Sequence, residues 1–271
     1  TRRSSDLPTR TPLSTSTTLP TSTPAPTLTP TPAPTLSPTP KPTVMYQLET
    51  LFPDPGFRQI VLQNFSANGM ELNSEAVSSV ELEKLELLGI SKAGASQSNP
   101  VKNISGIEAL SGLHEIRLSY GEISDISPLA NLAELKVLYL IGQKISDIHP
   151  LAGLTGLREL NLKENQISDI SPLENLHELE NLNLTSNQII DITALSSLTQ
   201  LRILAIGNNQ VNHISSLKDL TKLESLEFTL NQVTDISILA GLTHLKILSH
   251  QQSNYRCQRA AVAARTHFHT P

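Results

Sequence analysis

Asp125, Asp147, Asp169, Asp191 and Asp235 stand in one row with a period of 22 residues, and His213 fills the place between the last two. Carboxylates flanking an imidazole are raw material for a metal site or a general base. The local sequence argues against both. Each aspartate opens Asp-Ile-Ser-Pro-Leu or a relative, where a side-chain oxygen caps a turn, and no nucleophile recurs in register with the row. In that setting His213 relieves repulsion between Asp191 and Asp235. His267-x-His269 is too short a signal for a metal. Cys257 is the sole cysteine, which excludes a disulfide or a thiolate zinc site within one chain. No P-loop, GxSxG, HExxH or dinucleotide fingerprint occurs. The expectation is a chain that is not an enzyme, with no catalytic residue, cofactor or metal. Asn64-Phe-Ser66, Asn103-Ile-Ser105 and Asn183-Leu-Thr185 match a glycosylation sequon, the last inside an expected strand.

The elements that carry these residues follow from the same period. Leu113, Leu135, Leu157, Leu179, Leu201, Leu223 and Leu245 each open Leu-x-x-(Leu/Ile)-x-(Leu/Ile/Phe), as in Leu157-Arg-Glu-Leu160-Asn-Leu162. Asn165, Asn187, Asn209 and Asn231 follow at one offset, and Gly121 and Gln143 hold that place in the first two complete repeats. The alternation predicts a short strand with leucines inward and the x positions outward. A buried Asn, with donors and an acceptor, can satisfy the turning backbone of its own and neighbouring coils. Ser-Pro then opens a helical turn, with Ser as N-cap and Pro first. One coil cannot bury its apolar side alone, so coils stack around a shared core. An earlier repeat is expected at Leu82-x-x-Leu85-x-Leu87, lengthened by a polar insertion near residues 91–100.

Composition divides the chain. Residues 1–43 hold eleven of the 18 prolines and fourteen threonines and have almost nothing apolar to bury, which predicts a disordered, extended spacer. The net charge of −5 argues against an electrostatic grip on nucleic acid or an anionic membrane, and no apolar run suits a bilayer span.

The 22-residue pattern resembles the internalin type of bacterial leucine-rich repeat. The stretch before it, Leu51-Phe-Pro-Asp-Pro-Gly-Phe-Arg-Gln-Ile-Val61, resembles the helical cap that precedes such arrays, with Phe52, Phe57, Ile60 and Val61 packing on the first coil. The resemblance implies a leucine-rich-repeat solenoid with a parallel β-sheet on its concave face, short 3-10 turns on the convex face, and a use in recognising a protein ligand. The expected organisation is a linker over 1–43, an N-terminal cap over 44–81, repeats over 82–248 and an aberrant tail over 249–271.

On such a solenoid the outward positions form the binding face. They include Lys84, Glu86 and Leu88, then Glu115, Arg117 and Tyr120, then Val137, Tyr139 and Ile141. Glu159, Asn161 and Lys163 come next, followed by Asn183, Ile203 and Glu227. Eight strands about 4.8 Å apart give a face roughly 35 Å long, enough for a standard interface. Val137, Tyr139, Ile141 and Tyr120 look like a hot spot rimmed by Glu115, Arg117 and Lys163; the plain alternative is an ordinary β-favouring surface. On the hot-spot reading, Tyr139→Ala weakens a partner's binding by about 2 kcal/mol.

After Leu248 the repeat stops. Back-translating Gln252–Arg259 as CAA TCA AAT TAC CGA TGT CAG CGC and reading one base later gives Asn-Gln-Ile-Thr-Asp-Val-Ser, the missing half of a repeat. The tail therefore reads as a frameshifted repeat, in which Cys257 and the closing histidines carry no function; a genuine terminal tail is the alternative. The expected whole is a non-enzymatic recognition module on a stalk, at or outside a bacterial cell surface. The other readings are an intracellular scaffold or enzyme regulator, and the sensor domain of a larger receptor.

Overall fold

The computed structural model describes residues 43–70, 76–89 and 100–249, together with the backbone of residues 267–268. The Thr/Pro-rich segment through residue 42, the polar insertion at 90–99 and most of the tail lie outside the described residues. The spacer and frameshift expectations fall there.

The Leu-x-Leu alternation becomes strand in every coil. These are β3 (Leu87–Gly89), β4 (Glu115–Ser119), β5 (Val137–Ile141), β6 (Glu159–Asn161), β7 (Asn181–Asn183), β8 (Ile203–Ala205), β9 (Ser225–Glu227) and β10 (Ile247–Ser249). They pair in parallel, each with its sequence neighbour, and β11 (His267–Phe268) adds beyond β10. From β4 to β10 each residue faces the one 22 positions on, as Leu138 faces Leu160 and Leu160 faces Leu182. A short 3-10 turn follows each of β3 to β9, for example Ser127–Leu129 and Ser171–Leu173. Behind the sheet a single core runs through all coils; Leu157, Leu160, Leu162, Ile167, Ile170 and Leu173 from one coil are all within 1% of complete burial.

The asparagine row does the work expected of it. Asn165 donates from Nδ2 to the carbonyls of Leu140 (2.8 Å) and Leu162 (2.9 Å) and accepts from the Ile145 N–H (3.1 Å). Asn209 and Asn231 repeat the pattern one and two coils after Asn187. At the second place Gln143 substitutes, reaching back to the Ile123 N–H (3.1 Å) but bonding the carbonyls of Leu118 and Ile141 only at 3.4 and 3.5 Å. Its extra methylene needs space, and Gly121 leaves it: a Cβ there would stand 2.8 Å from the Gln143 carbonyl oxygen.

Two expectations are corrected. The first coil is displaced by three residues. Leu88, expected outward, is buried and faces Ile116, while Leu87, expected inward, is 44% exposed. Leu82 belongs instead to α3 (Ser79–Leu82), which Ser78 and Glu81 start by a reciprocal capping box. Lys84 and Glu86 accordingly lie in the turn before β3. The second correction concerns the 3-10 turns, which the serine does not cap. Ser127 and Ser171 are the first residues of their turns, and the caps are Asp125 and Asp169, whose Oδ1 atoms accept from those serines' N–H groups at 2.8 Å. A carboxylate two residues back reaches an N–H that the turn leaves without a backbone acceptor.

Before the first coil, β1 (Met45–Gln47) pairs antiparallel with β2 (Ala76–Ser78), and α1 (Leu48–Leu51) leads to α2 (Pro55–Ala67). Asp54 caps α2 by accepting from Phe57, with Pro55 at its first position. Phe52, Phe57, Ile60 and Val61 are buried in the common core, the two rings edge to face at 5.7 Å. Asn64 of α2 exchanges hydrogen bonds with Gly89 of β3, donating at 2.9 Å and accepting at 3.2 Å, so a side-chain amide pairs with the backbone of the first coil's strand.

Candidate protein-binding face

Side chains on the outer sheet face fall into rows, because consecutive strands are in register. One row runs Glu115, Val137, Glu159, Asn181, Ile203, Ser225; the next runs Arg117, Tyr139, Asn161, Asn183, Ala205, Glu227. All ten of the predicted face residues on β4 to β9 occupy these outward positions or, for Ile141, the position two farther along β5. Lys163 follows β6 and pairs with Glu164 at 3.1 Å.

Tyr139 is held rather than free. The Arg117 guanidinium carbon lies 4.1 Å above its ring centre, Arg117 is paired with Glu115, and the Tyr139 hydroxyl donates to Glu159 Oε2 at 2.6 Å. Burial first, then the bond to Glu159, raises the phenol's pKa, and the hydrogen bond to Glu115 raises that of Arg117. The network Glu115–Arg117–Tyr139–Glu159 spans β4 to β6 with fixed rotamers, which lowers the entropy lost on docking. Val137 and Ile141 flank it, half-buried.

Tyr120 stands apart at the turn after β4, with φ 58° and 70% exposure. Its ring lies on Gly142, where a Cβ would come within 2.6 Å of the ring, and Gly142 itself has φ 63°. Tyr120 and Tyr139 do not stack on one another; among the described residues the ring pair is Phe52–Phe57. Glu227 folds back onto the backbone, accepting from the Gly207 and Thr229 N–H groups at 3.0 Å. Asn161 and Asn183 likewise turn Oδ1 to the N–H two residues on, at 3.1 and 3.0 Å.

A hollow of about 80 Å³ opens where these rows cross β5 to β8, lined by Tyr139, Glu159, Asn161, Asn181, Asn183 and Ile203 with Ala205 beside them. Sequence reasoning listed its walls as separate positions and missed the hollow; the small Ala205 between Asn183 and Glu227 is the signal that could have found it.

A family model described as leucine-rich repeats in two copies matches residues 133–175. Internalin C2 from Listeria monocytogenes is 30% identical in sequence, with a TM-score of 0.71 over 83% of this chain and 97% of its own. The chain belongs to the internalin family. A leucine-rich-repeat protein of Leptospira interrogans superposes with a TM-score of 0.57 at 25% identity, over 64% of this chain and 45% of its own. Human leucine-rich repeat-containing protein 56 is 33% identical over 87 residues, and this internalin spans 15% of that relative's length.

Solenoids of this internalin type present an extended concave surface suited to protein recognition. Its aspartate row is a set of turn caps: Asp125, Asp147, Asp169, Asp191 and Asp235 each accept from the N–H two residues on, at 2.8–2.9 Å. His213 is exposed beside that row. Among the described residues no group of three or more His, Cys, Asp or Glu side chains could hold a metal, and no helix is long and apolar enough to cross a membrane. Of the sequons, Asn64 is buried and bonded, Asn183 lies in β7, and Asn103 is exposed with its carbonyl accepting from Ser105.

Proposed function

We propose that this internalin is a non-enzymatic module that binds a protein partner through the sheet face, centred on β5 to β8, and that residues 1–43 hold it on an extended stalk at or outside a bacterial cell surface. The observation that carries the reading is the pre-ordered Glu115–Arg117–Tyr139–Glu159 network beside half-buried Val137 and Ile141. A rigid aromatic and arginine flanked by aliphatic side chains is the make-up of an interface centre. The kinship with the Listeria internalin and the Thr/Pro-rich composition support the surface placement.

The test is site-specific photocrosslinking from Ser225 on the sheet face and from Ser196 on the opposite side, against a panel of purified surface proteins. The reading expects a partner crosslinked from Ser225 alone, competed by unlabelled protein and not by the Ile141→Glu variant. Equal yields from both sides, or equal competition by the variant, would refute it.

A further inference from the structure

We propose that the hollow between β5 and β8 takes the side chain of a partner's lysine, with Glu159 as counter-ion and Ile203 as the wall for its aliphatic stem. This deepens the sheet-face reading and rests on it. The carboxylates of the face are unequally satisfied. Glu115 is paired with Arg117, Glu164 with Lys163, and Glu227 accepts two backbone N–H groups. Glu159 accepts only the Tyr139 hydroxyl, on Oε2, and among the described residues no Lys, Arg or His lies within ion-pairing distance of it. Glu159, half-buried and lining the hollow, therefore keeps Oε1 without a cation among the described residues, while Arg117 and Lys163 of the same face are already held by Glu115 and Glu164.

The remaining walls select the stem and the head. Ile203 is 47% exposed and Ala205 lies beside it, giving an apolar side. The volume, about 80 Å³, is roughly half that of a cavity known to admit benzene, so it suits an alkyl chain rather than a ring. A guanidinium binds best through two parallel bonds to both carboxylate oxygens, and Tyr139 occupies one of them; a compact ammonium needs only the other. The amide nitrogens of Asn161 and Asn183 call for acceptors, but neutral amides lose little by staying hydrated. An unpaired carboxylate gains more from a cation, since hydrogen bonds between charged groups are about twice as strong as neutral ones.

The experiment is an NMR titration of the protein with n-butylammonium, n-butylguanidinium and butyramide, read at the side-chain amides of Asn161, Asn181 and Asn183 and the methyls of Ile203. Butylammonium should shift these signals and butyramide at equal concentration should not. Glu159→Gln, which keeps an acceptor for Tyr139, should weaken butylammonium about tenfold. Ile203→Ser should weaken butylammonium more than methylammonium, and Tyr139→Phe, by freeing Oε2, should improve butylguanidinium relative to butylammonium. Butyramide shifts equal to those of butylammonium, or an unchanged titration in Glu159→Gln, would overturn the proposal. Sheet-face crosslinks that survive Glu159→Gln undiminished would overturn the lysine anchor alone; ammonium binding without any sheet-face crosslink would overturn the partner reading from which it follows.

Discussion

Replacing Asn209 by alanine strips the N–H of Ile189 of its acceptor, bonded at 3.0 Å, and takes one of two amide donors from the carbonyls of Leu184 and Ile206, which keep Asn187 and Asn231 at 2.9 Å; a longer bond to the Gly207 carbonyl, at 3.2 Å, goes with them. A buried polar group stripped of its partner costs about 1–3 kcal/mol. Asn209 is 8% exposed, so water can reach part of the gap, and the lower end applies to the Ile189 N–H; with about 0.5 kcal/mol for each bond lost at the two shared carbonyls, the cost is about 2 kcal/mol together. Gln143→Ala is the matched control at the same place in the ladder. It forfeits one good bond, to Ile123, and two stretched ones at 3.4 and 3.5 Å, so about 1 kcal/mol is expected. With a urea m-value of about 3 kcal/mol/M, the midpoint should fall by about 0.7 M for Asn209→Ala and about 0.3 M for Gln143→Ala. Urea unfolding followed by far-ultraviolet circular dichroism measures both, provided the slope is unchanged. Equal shifts, or a larger one for Gln143→Ala, would refute the idea that bond geometry in this row sets the stability of the coils.

Three further outcomes follow from particular side chains. The Ser216 hydroxyl is buried without a hydrogen-bond partner, at the place held by Pro128, Pro150 and Pro172 in other coils; Ser216→Ala should stabilise by about 1 kcal/mol and Ser216→Pro by at least as much, a loss in thermal midpoint contradicting the account. Gly142→Ala should cost about 1–3 kcal/mol, and adding Tyr120→Ala should recover part of it, because the new Cβ meets that ring; strict additivity in the double-mutant cycle would show the ring to be irrelevant. Backbone N–H groups at His149, Ser171 and Ser237 hold Asp147, Asp169 and Asp235 below the usual carboxylate range, the Thr193 hydroxyl does the same for Asp191, and Lys246 with Arg202 holds Glu224 at about 2. Carboxyls depressed in the folded chain add stability above their unfolded values, near pH 4, and lose it as pH falls through the folded ones; the urea midpoint should stay level from pH 7 to about 5 and drop from about 4 toward 2, and a rise on acidification would contradict the assignment.

Most of the array could be read before any coordinates, since each strand, asparagine and turn is fixed by neighbours at constant spacing. The reading failed at Leu82, Leu85 and Leu87, where the insertion after Gly89 breaks the spacing and leaves only a run of leucines that fits two phases. The capping box of Ser78 and Glu81 was the overlooked clue. The face residues were identified one by one, but not their couplings. Nothing in the order of residues says that Arg117 lies over Tyr139 rather than extending to solvent, or that Glu227 bonds the backbone of its own and the preceding coil while Glu159 does not. Those outcomes depend on rotamers chosen across strands, where several choices satisfy the same period.

The asparagine row also has a direction. Each amide accepts from an N–H 20 residues earlier and donates both to a carbonyl 25 residues earlier and to one 3 residues earlier in its own coil, so within this row a coil's N–H is satisfied only by the coil that follows it. A ribosome delivers the chain in that same order. During synthesis the newest coil therefore waits with that N–H open to water and its carbonyl held by its own asparagine alone, until about one more repeat has left the exit tunnel, and assembly advances as a moving front one unit behind the emerging chain.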